Sequence, residues 1–236
     1  MTMRLPVLVA GLIGLGALPG AAQVGHAPDR SPYHDLRQKQ TLTFFGGRLS
    51  GGRGKARIGP SSGFLAGARF DLRVGSGTLF LGVSTIDAER RLVEPDDPPE
   101  TRFFGTASQQ LTVIDGGGTL ILTGRKTWHG WAPYFGGAIG AVTGSTVPED
   151  SSGFSFRSKF QFGPLVGLRY YPGGRLHFRA EVRDIIWRLN YGGTRLFDVP
   201  ASDPLAPPVL DPLTTRRNEF VHHLTLTFGI GWAIRL

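Results

Sequence analysis

The C-terminal segment, residues 223–236, alternates strictly between two kinds of residue. One set is apolar: Leu224, Leu226, Phe228, Ile230, Trp232, Ile234 and Leu236. The other set is polar or small: His223, Thr225, Thr227, Gly229, Gly231, Ala233 and Arg235. Successive side chains of a strand point to opposite faces, so this pattern predicts one long amphipathic strand. Globular strands usually have about 5–6 residues, whereas a tilted membrane-crossing strand needs roughly 9–11. The segment therefore indicates a membrane-spanning β-barrel.

The N-terminal residues predict export. Arg4 precedes an apolar run at 5–18, and small residues follow at 20–22. This order is typical of a secretory signal peptide, and the run is too short to be a transmembrane helix. We therefore predict three regions: a signal peptide at 1–22, a flexible lead-in at 23–39 and an outer-membrane β-barrel at 40–236.

The composition excludes several classes of function. The chain has no cysteine, so it offers no disulfide, thiol nucleophile or thiolate metal site. After the predicted signal peptide no segment has 18 consecutive apolar residues, so a span must be made by a closed barrel. The net charge is +8, but the basic residues are scattered and form no recognised nucleic-acid module. We expect no nucleic acid, cofactor or metal.

Eight alternating segments are separated by turns and loops. The predicted strands are 40–49, 63–74, 78–88, 104–122, 132–142, 159–171, 175–189 and 223–236. A glycine-rich stretch at 115–118 interrupts the fourth segment and is predicted to be a bulge, a bend or a turn. Long connections follow strands one, three, five and seven, and short ones follow two, four and six. Outer-membrane barrels have this asymmetry, with long loops outside and short turns in the periplasm.

Two observations favour lipid as the environment of the apolar face, over a soluble lipocalin-like barrel with the same leucines inside. The polar face carries charges of both signs, which suits a narrow lumen in which they pair. This predicted lumen network comprises Arg69, Asp71, Arg73, Arg169, Arg179, Glu181, Arg183 and Arg235. Aromatic residues cluster at predicted strand ends, as they do at membrane–water boundaries. The predicted girdle comprises Trp128, Trp131, Tyr134, Tyr170, Tyr171, Trp187, Tyr191 and Trp232.

The chain resembles the small eight-stranded outer-membrane barrels of the OmpA/OmpW type. The resemblance covers about residues 40–236 and rests on the signal peptide, the terminal strand and the segment Ala132-Pro133-Tyr134-Phe135-Gly136-Gly137-Ala138-Ile139-Gly140. It implies an all-β, antiparallel, up-and-down transmembrane barrel in the outer membrane of a Gram-negative-type cell. In that family the barrel-assembly machinery reads the last strand as a targeting signal, typically ending in Phe or Trp. The corresponding residues are Phe228, Ile230, Trp232, Ile234 and Leu236, so this chain ends on leucine instead.

The resemblance also implies partners and a range of functions. It implies contact with outer-membrane lipid, including lipopolysaccharide, and a monomeric barrel. The family contains structural barrels, adhesion and resistance proteins, and conduits for small hydrophobic ligands. We predict a non-enzymatic, porin-like barrel with a lumen plugged by side chains and long, mobile extracellular loops, in a structural or surface-interaction role.

Two alternatives stay open. The lumen arginines could instead line a narrow channel for small apolar or anionic solutes. A rim lipid hydrolase could use His222 or His223, near Glu219 and the loop serines Ser151, Ser152 and Ser155. A nucleophile needs a base within about 3 Å and an orienting acid, and no spacing in the sequence requires that arrangement. We therefore predict no catalytic residue and no enzyme.

Overall fold

The computed structural model describes residues 31–235 of the 236-residue chain, so the predicted signal peptide lies outside the described residues. The described strands are β1 (Tyr33–Asp35), β2 (Gln40–Gly51), β3 (Ser62–Val74), β4 (Gly77–Val93), β5 (Phe103–Ile121), β6 (Lys126–Trp128), β7 (Trp131–Gly144), β8 (Ser158–Gly173), β9 (Leu176–Asn190) and β10 (Asn218–Arg235). Within residues 31–235, no helix has the length and apolar character needed to cross a membrane.

Eight of these strands form a closed antiparallel barrel. The order around it is β2, β3, β4, β5, β7, β8, β9 and β10, and β10 pairs back onto β2. The closing register runs from His223 opposite Gly51 to Arg235 opposite Gln40. Every barrel strand therefore has a neighbour on both sides, as a closed barrel requires. The predicted eight-stranded antiparallel barrel is confirmed.

The apolar side chains of the strands point out of the barrel. On β10, Leu226 is 46% exposed and Phe228 is 62% exposed, while the alternate residues Thr225 and Thr227 are buried inside. The other strands present the same outer surface, with exposed Phe44, Phe64, Leu81, Ile114, Ile139, Phe160 and Val166. Soluble proteins rarely expose apolar patches above a few hundred Å². The alternative in which these leucines line the interior is therefore wrong.

The glycine-rich stretch at 115–118 is a regular part of β5. Gly117 is paired with Phe80 of β4 on one side and with Ala138 of β7 on the other. The prediction of a bulge, a bend or a turn is wrong, because both neighbouring ladders continue without a register shift there. A Cβ atom at Gly117 would collide with the carbonyl oxygen of Gly137. Glycine thus permits a close approach of two strands here and does not end either of them.

The connections are short at one end of the barrel and long at the other. We call these the turn end and the loop end. At the turn end Gly75 and Gly174 have φ values of +64° and +63°, a conformation that glycine adopts without strain. The four long connections at the loop end are 52–61, 94–102, 145–157 and 191–217. The loop predicted to begin at residue 89 is shorter than expected, because β4 continues to Val93 alongside β5.

Part of the predicted flexible lead-in is held at the turn end. β1 pairs with β6, which lies in the connection between β5 and β7 and was predicted only as a turn. The Leu36 amide then donates to the carbonyl of Arg125 at 2.9 Å, and the Leu36 side chain is buried. Residues 33–39 are therefore fixed to the barrel by backbone pairing and by burial.

Candidate functional site

The barrel interior is filled by three successive groups of side chains. The turn-end apolar cluster contains Leu36, Phe80, Ile121, Ala132, Tyr134, Ala138 and Leu165. The charge cluster contains Arg69, Asp71, Asp115, Arg169, Arg179, Glu181 and Arg183. The loop-end apolar cluster includes Leu49, Ile58, Leu111, Phe154, Phe156, Trp187, Leu189, Tyr191, Leu196 and Leu210. An eight-stranded barrel has an interior just wide enough for side chains to fill it, and here they do.

Glu181 connects three strands across the lumen. Its Oε2 accepts a hydrogen bond from the Arg69 guanidinium of β3 at 3.0 Å and from the Tyr134 hydroxyl of β7 at 2.8 Å. All three side chains are buried. A buried carboxylate needs both a charge partner and hydrogen bonds, and this arrangement supplies them.

Asp71 and Asp115 complete the paired part of the charge cluster. The Asp71 carboxylate lies 2.9 Å from the Arg69 guanidinium and 3.0 Å from that of Arg169. Asp115 accepts a hydrogen bond from Arg183 at 2.5 Å, and Arg183 also donates to Gln161 at 2.8 Å. The three carboxylates of the cluster therefore all have arginine partners.

Arg179 is the remaining guanidinium of the charge cluster. Within the described part of the chain it has no carboxylate within 4.0 Å, and its Nε and Nη1 atoms have no hydrogen-bond partner. Its guanidinium lies 5.2 Å from the centre of the Phe45 ring, and the side chain is only 3% exposed. Four guanidinium groups thus face three carboxylates, which leaves a surplus of one positive charge in the lumen.

The structure brings together six of the eight residues predicted as the lumen network, and it places Arg73 elsewhere. Arg73 is half-buried at the turn end, where its Nε donates to the carbonyl of Gln38 at 3.0 Å. It is therefore separate from the charge cluster. Arg235 pairs through its backbone with Gln40, and its side chain lies outside the described residues.

Three polar residues in or beside the charge cluster were not predicted to lie in the lumen. Asp115 was assigned to the stretch at 115–118 that was predicted to be a bulge, a bend or a turn, although alternation from Val113 would have placed its side chain inside. Tyr134 was assigned to the girdle because it lies near a strand end. Gln161 carries no charge and gave no signal beyond its position on the inner face of β8.

The predicted aromatic girdle is wrong for three of its members. Tyr134, Trp187 and Tyr191 are at most 2% exposed and lie inside the barrel or beneath the loops. The other five have outward-facing or partly exposed rings: Trp128, Trp131, Tyr170, Tyr171 and Trp232. Only these remain a predicted membrane-interface girdle.

Side chains anchor the long connections across the loop end. The Trp187 ring stacks on His223 with centroids 3.9 Å apart, and the ring of Phe156, from connection 145–157, meets it edge-on at 5.5 Å. Arg90 of β4 pairs with Asp150 of the same connection. Buried aromatic and charged groups therefore tie this connection to the barrel mouth, while the mobility of the long loops stays a prediction.

The connection 191–217 is held at its beginning by Tyr191. Its hydroxyl donates to Glu219 at 2.5 Å, and the carboxylate oxygen also accepts from the Lys55 amide at 2.6 Å. Burial and the Glu219 carboxylate together raise the pKa of the Tyr191 hydroxyl. The residue therefore remains a neutral donor that joins two connections to the start of β10.

The two adjacent histidines lie on opposite faces of β10. His222 is outside and its Nδ1 is 2.7 Å from the Asp184 carboxylate, while His223 is buried and its Nε2 donates to the Pro60 carbonyl at 2.9 Å. Ser151 instead contacts Glu94 at 2.5 Å. Among the described hydrogen bonds, neither histidine meets a serine. The geometry needed for a serine hydrolase is therefore not formed by these residues.

The turn end is closed by a hydrogen-bonded histidine. The two ring nitrogens of His177 lie 3.1 Å from the Gln38 Oε1 atom and 3.2 Å from the Thr43 hydroxyl. The Gln38 amide group then donates to the carbonyls of Gly174 and Leu176 at 3.1 and 3.3 Å. The end of the lead-in therefore lies across the turn end and covers the charge cluster from that side.

A small cavity lies beside the charge cluster. Its volume is about 30 Å³. It is lined by Arg69, Arg179, Arg183, Asp115, Glu181, Ser84 and apolar side chains that include Phe45 and Phe80. This volume is about the share of one water molecule in the liquid.

Comparison with known proteins supports the fold. The chain matches no protein-family model, and no curated protein matches it by sequence. Among solved structures, Neisserial surface protein A is similar with a TM-score of 0.50 and 14% identity, covering 86% of this chain and 98% of that one. The N-terminal barrel domain of Pseudomonas aeruginosa OprF gives a TM-score of 0.42, 13% identity, and 84% and 98% coverage. Ail, the attachment invasion locus protein of Yersinia pestis, gives a TM-score of 0.32 and 13% identity, covering 84% of this chain and 100% of that one. The chain thus has the fold of the small eight-stranded outer-membrane barrels.

Proposed function

We propose that this protein is a non-enzymatic outer-membrane barrel that does not conduct solutes and that presents anchored loops for surface interaction. The observation that carries the proposal is the filled interior. The charge cluster fills the middle of the lumen, the loop-end cluster covers one side, and the lead-in covers the other. The similarity in fold to a neisserial surface protein supports a surface location.

The outer wall supports a membrane setting. Exposed apolar side chains surround the barrel, and exposed tryptophans such as Trp131 and Trp232 lie towards the turn end, where rings can meet the lipid boundary. Their function as a girdle, and the terminal strand's function as an assembly signal, are parts of the proposal. The chain is proposed to fold as a monomer, because the eight barrel strands close on one another without a second copy.

Lipopolysaccharide is the lipid that the loop end fits. Arg48 and Arg188 lie on the outer face of the barrel wall near that end, and both are exposed. The Arg48 guanidinium lies 4.6 Å from the centre of the Phe64 ring, beside apolar lipid-facing residues. Guanidinium groups bind phosphate oxygens through paired hydrogen bonds, so these arginines are suited to the phosphorylated lipid surface.

Bilayer recording tests the proposal. Purified barrel is reconstituted in a planar bilayer beside a known porin as a positive control. We expect no stepwise conductance from this protein, because the buried side chains of the charge cluster and of the two apolar clusters occupy the lumen. Reproducible unitary steps would instead support the channel alternative. Lipid hydrolysis that is lost on His222→Ala would support the hydrolase alternative.

A further inference from the structure

The charge cluster contains a buried cation that makes no ion pair within 4.0 Å with the described residues. Arg179 lies on the inner face of β9 and is almost fully buried, yet its Nε and Nη1 atoms have no partner. Glu181 is already bound by Arg69 and Tyr134, and Asp115 by Arg183. A buried charge without a partner is strongly unfavourable, so the lumen needs one more negative charge.

The small cavity lies where that charge is needed. Arg179 lines it together with Arg69 and Arg183, and Ser84 adds a hydroxyl group. The carboxylates of Asp115 and Glu181 also line it, and each of them is already paired with an arginine. Its volume of about 30 Å³ accepts one particle of about the size of a water molecule. Water would satisfy an N–H group but would leave the surplus charge uncompensated. Sulfate, phosphate and organic acids are too large for the space.

We propose that this cavity binds one small monovalent inorganic anion of the chloride class, with Arg179 as its principal ligand. The anion is a structural counterion: it neutralises the surplus charge and accepts hydrogen bonds from the unpartnered guanidinium atoms. Both ends of the lumen are covered, so the anion enters as the barrel folds and is not transported. This inference goes beyond the proposed surface function and would survive if that function were wrong.

Anion-dependent stability tests the site. The full-length mature barrel is refolded from urea into detergent micelles in chloride, bromide, gluconate or sulfate at equal ionic strength, and its thermal unfolding midpoint is measured. Sulfate normally stabilises proteins more than chloride does, because it is excluded from their surface. We expect the reverse order here, with chloride and bromide giving higher midpoints than sulfate and gluconate. Midpoints in the usual order would overturn the proposal.

Two variants assign the effect to this cavity. In Arg179→Met the surplus charge is absent, so the advantage of chloride over sulfate is expected to disappear. In the control Arg73→Met, which changes an arginine at the turn end, that advantage is expected to remain. An advantage that persists in Arg179→Met, or is lost equally in both variants, would contradict the site.

A direct measurement keeps the proposal testable if Arg179→Met does not fold. Crystals of the unmodified barrel refolded in bromide are expected to show an anomalous scattering peak in the cavity beside Arg179. An empty cavity, or one that holds density without anomalous signal, would overturn the proposal.

Discussion

Glu181→Ala is expected to lower the free energy of unfolding by about 3–5 kcal/mol, the cost of removing one partner from a buried ion pair. The substitution would leave Arg69 with Asp71 as its only carboxylate among the described ion pairs, and the Tyr134 hydroxyl without its acceptor. It would also raise the positive surplus of the lumen from one charge to two. Urea unfolding of the barrel in detergent measures the loss.

Tyr134→Phe is the matched control for that variant. It removes one hydrogen bond to the same carboxylate and keeps every ion pair, so we expect a loss of only about 1 kcal/mol. Glu181→Gln retains an acceptor without the charge and should lie between the two. If Glu181→Ala were no less stable than Tyr134→Phe, the lumen charges would not be stabilised by the contacts described here.

Trp187→Ala is expected to cost a similar amount, about 3–5 kcal/mol, because a large ring is removed from a closely packed site. Trp187 is fully buried between His223 of β10 and Phe156 of connection 145–157. The loss should also release that connection from the barrel mouth. Limited trypsin digestion is therefore expected to cut after Arg157 sooner than in the unmodified protein.

Trp232→Ala provides the comparison for Trp187. Trp232 lies on the outer wall and is 55% exposed, so its removal leaves no interior cavity. A smaller loss of stability and unchanged cleavage at Arg157 are expected. Equal effects of the two substitutions would argue that Trp187 belongs to the outer wall, as the girdle interpretation first placed it.

The barrel could be predicted because apolar and polar residues alternate along each strand, and this alternation tells which side chains face out of the barrel and which face into it. The alternation in the sequence of residues 223–236 is unbroken, and it assigned the outward-facing and lumen-facing residues of β10 without reference to any other strand. The short glycine turns and the long connections then gave the strand count. These signals are local, so one sequence was sufficient to find them.

The contents of the interior were harder to predict, because they depend on which strands meet across the lumen. The alternation that placed Arg179 and Arg183 inside also places Trp187 inside, but proximity to a strand end was given more weight. Asp115 was not predicted to lie inside, because the glycines that follow it were interpreted as an interruption of the strand. Neither the partner of Glu181 nor the isolation of Arg179 could be found without the register of the closed barrel.

The anchoring of the loops could not be predicted for a related reason. Phe154, Phe156 and Leu196 lie in segments whose proline, serine and glycine content is typical of exposed connections. They become buried only because the barrel mouth offers Trp187 and Leu189 as partners. A loop's own composition does not reveal such a surface, since the contact is between residues far apart in the chain.

Electrophoretic mobility before and after heating tests the closed membrane barrel most directly. Membranes from cells that produce the protein are extracted with detergent, and boiled and unboiled samples are compared on one denaturing gel. We expect the unboiled protein to migrate differently, because a closed barrel resists unfolding by the detergent until it is heated. Identical mobility of the two samples, with the protein recovered in the soluble periplasmic fraction, would contradict the outward apolar face and the account built on it.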